Sequence, residues 1–418
     1  MPRIWPRSLV NRTSDSGSEG HRFESCRGHS YSKHEKKIFH AFLFLTDKHI
    51  IMLISPISYN DTNRFKGMAI LLIVLHNFYH VLPGASIENE FSFNIENTNY
   101  YLKSVIDSFS PISITSLFTD FFSFFGHYGV ALFIFLSGYG LTIKYSSKEF
   151  SNTEKIHFIW KRILRFWKVI IPLIPLSLFV KMIKYGNGLW ETLTDHIGEY
   201  LSIITFTQTL IPGKEFVVSG PWWFFGAILQ LYIIYIFLLH KKSNRFLFIV
   251  SLSVLLIQAT TIFCGWENIL FRLRYNCIGW LPIFCLGIYY AKKSSITCKP
   301  LIPVILMILF LCSNVNAYFW LFSSLLFPLA FIPLFRNFPI KSFWEFMGKI
   351  SFYLFAIHSF IRGAFFGLIG EEKIVEQNLE VPVGILYLLT SILIAYIFQQ
   401  LLNRIYNYCQ TKIIHKKQ

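Results

Sequence analysis

The sequence predicts an all-α polytopic membrane protein, a bundle of about ten transmembrane helices with both termini in the cytoplasm. Three observations predict it: the apolar composition, the length of the apolar blocks and the alternation of charge between them. Apolar residues make up 53% of the 418 residues and charged residues 15%, against about 25% charged in soluble domains. Too few polar side chains remain to cover a water-facing surface, so the composition excludes a soluble enzyme.

The apolar residues fall in ten continuous blocks of roughly the length of a membrane-spanning helix. Continuous blocks argue against transmembrane β-strands, whose hydropathy alternates over about ten residues. Two blocks, 277–291 and 300–314, are short for a hydrocarbon core of about 30 Å. The ten predicted spans are residues 67–82, 121–143, 166–183, 222–240, 246–264, 277–291, 300–314, 317–335, 350–369 and 382–402.

Charge alternates between the loops that join these spans. One set of loops carries 22 lysines and arginines, with the segment 144–168 the richest in them. The other set carries only six, which are Lys103, Lys184, Lys214, Arg272, Arg274 and Lys373. The positive-inside rule therefore places both chain ends in the cytoplasm and the loop 83–120 outside. The net charge of +16 follows from this topology, so we expect anionic lipid headgroups as partners and no nucleic acid.

Residues 1–51 lie outside this pattern. Their first part is rich in Ser, Gly, Arg and His, and no apolar core follows that would make it a secretory signal. The string Gly17–His29 resembles a conceptual translation across a transfer-RNA gene, which predicts a start codon placed too far upstream, with Met52 as the initiator. A disordered cytoplasmic tail is the alternative. We expect residues 52–410 to form the membrane domain and 411–418 a basic cytoplasmic tail.

Polar groups inside a membrane are costly, so they mark candidate sites. None of the ten predicted spans contains Asp or Glu, and no two halves carry matching interrupted spans, which weakens a transporter interpretation. The cysteines form no CxxC pair and no zinc-site spacing, so no metal is implied. The polar residues inside or at the edge of the spans include His76, His80, His127, His358, Arg362, Gln230 and Asn77.

The first span places a histidine near the middle of the membrane. His76 lies nine residues after Gly67, a rise of about 14 Å, which is near the centre of a core about 30 Å thick. His80 follows four positions later and shares the same helix face. A buried neutral imidazole can accept a proton, so His76 is a candidate general base. A histidine that only hydrogen-bonds between helices is the alternative.

The run from Arg64 to His76 resembles the first-helix signature of the membrane acyltransferase-3 family, a cation followed by an apolar stretch and a histidine. Four further segments resemble the family in the same order, and together the resemblance covers about residues 60–402. These segments are Gly126–Tyr139, Lys161–Phe166 followed by Pro172, Pro221–Phe225 with Gln230 and Tyr232, and Met347–His358.

The resemblance implies an O-acyltransferase in the inner membrane of a bacterium. Such an enzyme takes an acyl group, commonly acetyl, from cytoplasmic acyl-CoA and passes it to a hydroxyl of an envelope polysaccharide or glycolipid. Two positions depart from the family. Its arginine usually lies eleven positions before the histidine, whereas Lys66 lies ten and Arg64 twelve positions before His76. Gln230 stands where many members carry Glu.

Residue roles follow from that resemblance and from charge. The candidates for binding the phosphates of acyl-CoA are Arg64, Lys66, Arg162 and Arg165, with simple positive-inside anchoring as the alternative. The candidates for lining the site are His80, Ser137, Trp223, Gln230, Ser351, His358 and Arg362, with packing or an aromatic belt as the alternative. His76 is expected to act as the base in direct transfer, or to carry the acyl group transiently.

Three other functions stay open at this stage. A ten-span transporter or flippase for a glycan or small molecule is the first alternative. An inactive family member that only binds glycan or partner proteins is the second, and Gln230 mildly favours it whereas an intact His76 argues against it. An accessory protein of glycan synthesis is the third.

Overall fold

In the computed structural model, helices make up almost all regular structure of the described residues, which are 52–53, 56–293 and 297–415. The predictions for residues 1–51 lie outside the described residues. At the other end of the chain, the last helix continues to His415, within the predicted tail 411–418. The helices are α1 (Tyr59–Tyr79), α2 (Ile95–Asp107), α3 (Ile114–Phe125), α4 (Tyr128–Tyr145), α5 (Asn152–Ile170), α6 (Ile174–Tyr185), α7 (Leu189–Ile204), α8 (Trp223–Ile234), α9 (Asn244–Phe263), α10 (Glu267–Arg274), α11 (Cys277–Ala291), α12 (Leu301–Ser313), α13 (Ala317–Phe335), α14 (Lys341–Ile369), α15 (Glu371–Glu376) and α16 (Glu380–His415).

Short irregular elements adjoin these helices. The 3-10 turns Ile171–Leu173 and Gly220–Trp222 precede α6 and α8, and the π-helical turn Tyr235–Leu239 follows α8. Strands of two residues each, Met52–Leu53 and Thr297–Cys298, pair antiparallel. These elements leave the bundle all-helical in character.

Six helical segments of the described chain are long and apolar enough to cross a membrane. Two further pairs, α3 with α4 and α10 with α11, are bent by 45° and 47° at a short break, so the number rises to eight if each pair crosses as one span. The predicted helical membrane fold is therefore confirmed, whereas the count of ten is not. The first predicted span lies in α1 and the seventh in the 13-residue α12, and neither meets the same measure.

The position of α1 explains why its composition is only moderately apolar. Phe65, Ala69 and Val74 on this helix are each at most 1% exposed, because other helices surround it. By contrast, Phe248 and Leu256 of α9 are 65% and 58% exposed, as expected of a face that meets lipid. A helix enclosed by protein can carry polar side chains that a lipid-facing helix cannot.

Helix α1 packs most extensively against α14, which lies beside it in the same direction. A Cβ added at Gly67 would overlap the carbonyl oxygen of Trp344, and one at Gly348 would overlap that of Asn63. Small residues at both crossings thus let the two backbones approach closely. Arg64 adds an ion pair across the same contact, to Glu345 at 3.0 Å. This contact fixes the relative position of the helix that carries Lys66 and His76 and the helix that carries Arg362.

Candidate active site

Two cavities enter the bundle beside the contact between α1 and α14. The larger, about 770 Å³, is named here the cation cavity because Lys66, Arg162, Arg165, Lys168 and Lys349 line it. The smaller, about 390 Å³, is named the histidine cavity because His76, His80 and His127 line it. Phe355 of α14 lines both cavities, so this one aromatic ring forms part of the wall between them.

The cation cavity holds its arginines on aromatic faces. The guanidinium of Arg162 lies 4.9 Å from the ring centre of Phe158 and 5.1 Å from that of Tyr232. That of Arg165 lies 5.4 Å from the ring centre of Phe352. Stacking orients a guanidinium while its edge N–H groups stay available to an anion. None of the described residues that line this cavity is Asp or Glu, so it suits a polyanion.

The structure separates the two first-helix cations whose roles the spacing left open. Lys66 lines the cation cavity, whereas Arg64 does not. Arg64 instead donates to Asp61 at 2.9 Å and to Glu345 at 3.0 Å. Of the predicted site-lining serines, Ser137 and Ser351 both line the cation cavity.

In the histidine cavity, backbone carbonyls decide which ring nitrogen of His76 carries the proton. Nδ1 of His76 lies 2.9 Å from the carbonyl oxygen of Ser123. A carbonyl oxygen only accepts hydrogen bonds, so Nδ1 donates and Nε2 keeps its lone pair. Nδ1 of His80 likewise donates to the carbonyl oxygen of His76 at 2.8 Å. The two rings stack, with centroids 4.4 Å apart and planes 11° apart.

The loop between α1 and α2 brings to this cavity two acids that were not among the predicted site residues. Glu88 places Oε1 3.8 Å from Nε2 of His76, and Glu90 lines the same cavity. Burial, with the neighbouring Glu88 charge, raises the pKa of Glu90 well above its usual range. The guanidinium of Arg274 donates to the backbone carbonyl of Glu90 at 3.0 Å and so holds the loop inward.

Asp120, in the second half of α3, anchors the other side of this loop. Its carboxylate accepts from Ser86 at 2.7 Å and from Ser104 at 2.5 Å, and its side chain is buried. The residue lies one position before the predicted span 121–143, so it was not among the residues expected inside a span.

Four further predicted site residues divide between the cavity and the surrounding packing. Trp223 and Arg362 line the histidine cavity, and Arg362 donates to the carbonyl oxygen of Asn77. Gln230 lines neither cavity, because its amide bonds to Thr209 and Asn276.

His358 also lines neither cavity. Its Nδ1 donates to the carbonyl oxygen of Phe355 at 2.9 Å, and its Nε2 is buried without a hydrogen-bond partner. His127, given little weight from the sequence, does reach the histidine cavity, with its ring centroid 5.7 Å from that of His76.

The fold and the site together define a multi-pass membrane protein in which a buried histidine, with a free Nε2 lone pair, lies beside a cation-lined cavity. A family model described as an acyltransferase domain matches residues 60–400, and the chain belongs to this acyltransferase-3 family. The resemblance seen in the sequence is thereby confirmed. Comparison with curated proteins and with solved structures gave no significant match.

Proposed function

We propose that the protein transfers an acyl group, commonly acetyl, from acyl-CoA to a hydroxyl of a cell-envelope polysaccharide or glycolipid, with His76 as the general base. The observation that carries this proposal is the tautomer of His76. Its Nδ1–H is held by the Ser123 carbonyl, and its Nε2 lone pair borders the histidine cavity, one aromatic wall away from the cation cavity. Family membership supplies the reaction class.

The cation cavity fits the donor. Coenzyme A carries several phosphate charges, and Lys66, Arg162 and Arg165 offer cationic donors without a competing carboxylate in the lining. Lys168 and Lys349 extend the same positive surface. A volume of about 770 Å³ lies within the usual range for small-molecule sites. All five cations belong to the loops and helix ends that the charge pattern assigns to the cytoplasm, where acyl-CoA is made.

The histidine cavity fits a sugar acceptor. Trp223 and Phe91 line it, and so does Glu88. Aromatic faces pack against the C–H face of a sugar, while carboxylate oxygens accept from its hydroxyls. The lining loop 83–94 belongs to the set that the charge pattern assigns to the outside, where envelope glycans are exposed. We accordingly propose the inner membrane of a bacterium as the location.

The proposed chemistry is direct transfer. The acceptor hydroxyl gives its proton to Nε2 of His76 while its oxygen attacks the thioester carbonyl carbon. The tetrahedral intermediate then collapses, the C–S bond breaks, and the departing thiolate takes the proton back from Nε2. The products are an O-acyl ester and free coenzyme A, and His76 returns to its starting state. An acyl-histidine intermediate would use the same lone pair, so both routes need Nε2 unprotonated.

Acyl transfer by purified variants tests this proposal. Gln in place of His76 keeps a hydrogen-bonding side chain but no useful base, so transfer from labelled acetyl-CoA to extracted envelope glycan should fall by about 10²–10⁴-fold. The control is His196→Gln, because His196 lines neither cavity and pairs with Glu199. Near-normal turnover by His76→Gln would refute the base assignment. Mass analysis of envelope glycans with and without the gene identifies the acceptor.

A further inference from the structure

We propose that His76, His80 and Glu88 form a binding site for a divalent transition-metal ion of the zinc class, and that the bound ion inhibits the transferase. The site is assigned from the geometry of the histidine cavity. Its inhibitory effect, but not the binding itself, rests on the proposed function of His76.

The two histidines are arranged as metal ligands usually are. A metal-binding imidazole coordinates through one nitrogen and donates its other N–H to a carbonyl or carboxylate, which fixes the ring. His76 donates from Nδ1 to the Ser123 carbonyl at 2.9 Å, and His80 donates from Nδ1 to the His76 carbonyl at 2.8 Å. Each therefore keeps a lone pair on Nε2. The two rings stack with centroids 4.4 Å apart, so they lie side by side at the C-terminal end of α1.

Glu88 supplies the third ligand and the negative charge. Its Oε1 lies 3.8 Å from Nε2 of His76, and its Oε2 is buried without a hydrogen-bond partner. One side-chain atom of a kind that binds metal ions, from each of His76, His80 and Glu88, lies within 4.8 Å of the other two. Zinc–ligand bonds of about 2.0–2.2 Å in a tetrahedron separate neighbouring ligand atoms by about 3.4 Å, so side-chain shifts of about 1 Å close the site. A buried oxygen that lacks a donor is itself an argument for a cation there.

The ligand set selects the kind of ion and leaves room for a fourth ligand. Imidazole nitrogens favour zinc, copper or nickel over magnesium and calcium, which prefer oxygen. Two histidines and one glutamate leave one position of a tetrahedron open, and the cavity of about 390 Å³ has room for water there. Arg362 lines the same cavity, and its positive charge reduces the affinity for a cation.

Occupancy of this site excludes catalysis by His76. The Nε2 lone pair that binds the ion is the one that takes the proton of the acceptor hydroxyl, so both cannot happen at once. The ion is therefore an inhibitor and not a cofactor. Acyl transfer should fall as zinc is added and recover when a chelator removes it.

The binding test uses the purified full chain in detergent, without a polyhistidine tag and after treatment with a chelator. Zn²⁺ is titrated by calorimetry into the wild type, Glu88→Gln and His80→Ala. We expect the wild type to bind one more ion at high affinity than either variant, or to bind that ion at least about 10-fold more tightly. His196→Ala is the control, because it removes a histidine paired with another glutamate. Equal binding by wild type and Glu88→Gln would overturn the site.

A second measurement does not depend on the variants folding. Co²⁺ replaces Zn²⁺ in such sites, and a tetrahedral Co²⁺ complex absorbs visible light far more strongly than an octahedral one. The wild type should give the strong tetrahedral spectrum, which excess Zn²⁺ abolishes. Only the weak octahedral spectrum, with Co²⁺ at saturation, would contradict the assignment.

The inhibition test separates this proposal from the proposed function. Zinc that binds without slowing acyl transfer would refute the inhibition and the role of His76 as base, while the metal site would stand. A wild type that transfers no acyl group in the presence of chelator would refute the proposed function alone. The calorimetric and spectroscopic results decide the metal site in either case.

Discussion

The cation cavity and the histidine cavity share a wall but are built in different ways. Long side chains line the first, and aromatic rings hold its arginines, as Phe352 holds Arg165. Histidines, acids and aromatic rings line the second, and backbone carbonyls hold His76 and His80, as the Ser123 carbonyl holds His76. The first arrangement suits a large flexible anion that must enter and leave. The second suits a histidine, His76, whose ring is held in one tautomer and one orientation.

The largest expected effect concerns the side of the membrane to which each cavity belongs, cytoplasmic for the cation cavity and external for the histidine cavity. In a chain without its native cysteines, Asn99→Cys on α2 should react fully with a membrane-impermeant thiol reagent in cells with a permeabilised outer membrane. Lys242→Cys, after α8, should not react until the inner membrane is opened. Both positions are exposed in the structure, so access alone decides the result. The reverse labelling pattern would overturn the positive-inside assignment and the donor side.

The next largest effect is expected on KM for acyl-CoA, which should depend on the cation cavity. The double variant Arg162→Gln/Arg165→Gln removes two charged donors from the cation cavity. Charged hydrogen bonds contribute about 1.5–3 kcal/mol each, so KM for acyl-CoA should rise about 100-fold or more, with a much smaller change in kcat. Lys155→Gln is the control, since Lys155 lies on the same helix but lines neither cavity. A fall in kcat at unchanged KM would place these arginines outside donor binding.

Both cavities should depend on the contact between α1 and α14. Gly348→Ala places a Cβ against the Asn63 carbonyl, and such overpacking costs about 1–3 kcal/mol. We expect a lower thermal midpoint and reduced activity. Gly363→Ala, on the same helix, meets no atom within 4 Å and should be neutral or slightly stabilising. Equal midpoints for the two variants, measured by dye-free thermal unfolding in detergent, would show that the helices do not need this close approach.

The smallest expected effect concerns the pH dependence of the histidine cavity. The pKa of Glu90 is raised in the folded protein, because the side chain is buried next to Glu88. The unfolded chain therefore loses this proton first, and the contribution of Glu90 to stability falls as pH rises from about 4.3 towards the folded pKa. Glu90→Gln removes the group that causes this pH dependence. Between about pH 5 and 8, the thermal midpoint of the variant should therefore fall less than that of the wild type. A steeper loss in the variant would contradict the raised pKa.

The sequence predicted the parts of this site that depend on one helix and on charge. The apolar stretch from Gly67 placed His76 deep in the membrane, and the charge pattern gathered Lys66, Arg162 and Arg165 at one side. The structure places these three cations in one cavity and His76 in the next. These features depend on the spacing along one helix or on the cost of moving charge across a membrane. Both can be seen in the order of residues without knowledge of tertiary contacts.

The parts that the sequence did not predict depend on distant contacts. Nothing in the residues around Glu88 shows that its loop folds back, because Arg274 and Asp120, far along the chain, hold it there. Gln230 and His358 belong to patterns that suggested a site, yet neither lines a cavity: the amide of Gln230 bonds to Asn276, and the ring of His358 donates to the Phe355 carbonyl one turn earlier on its own helix. The count of ten spans is not confirmed by helix length and composition, and α1, which is enclosed by protein, is one of the helices that do not meet this measure.

The ion pair between Arg64 and Glu345 has a consequence for the synthesis of the protein. The two residues lie 281 positions apart, so at about 5–20 residues per second the first helix waits roughly 15–55 s for its main partner to leave the ribosome. During that time α1 carries His76 and Asn77 without the helix that will later cover them. The proposed reaction centre is completed only when α14 has joined α1. A chain whose translation stops before α14 should therefore lack acyl transfer activity, however much of its N-terminal part has been inserted.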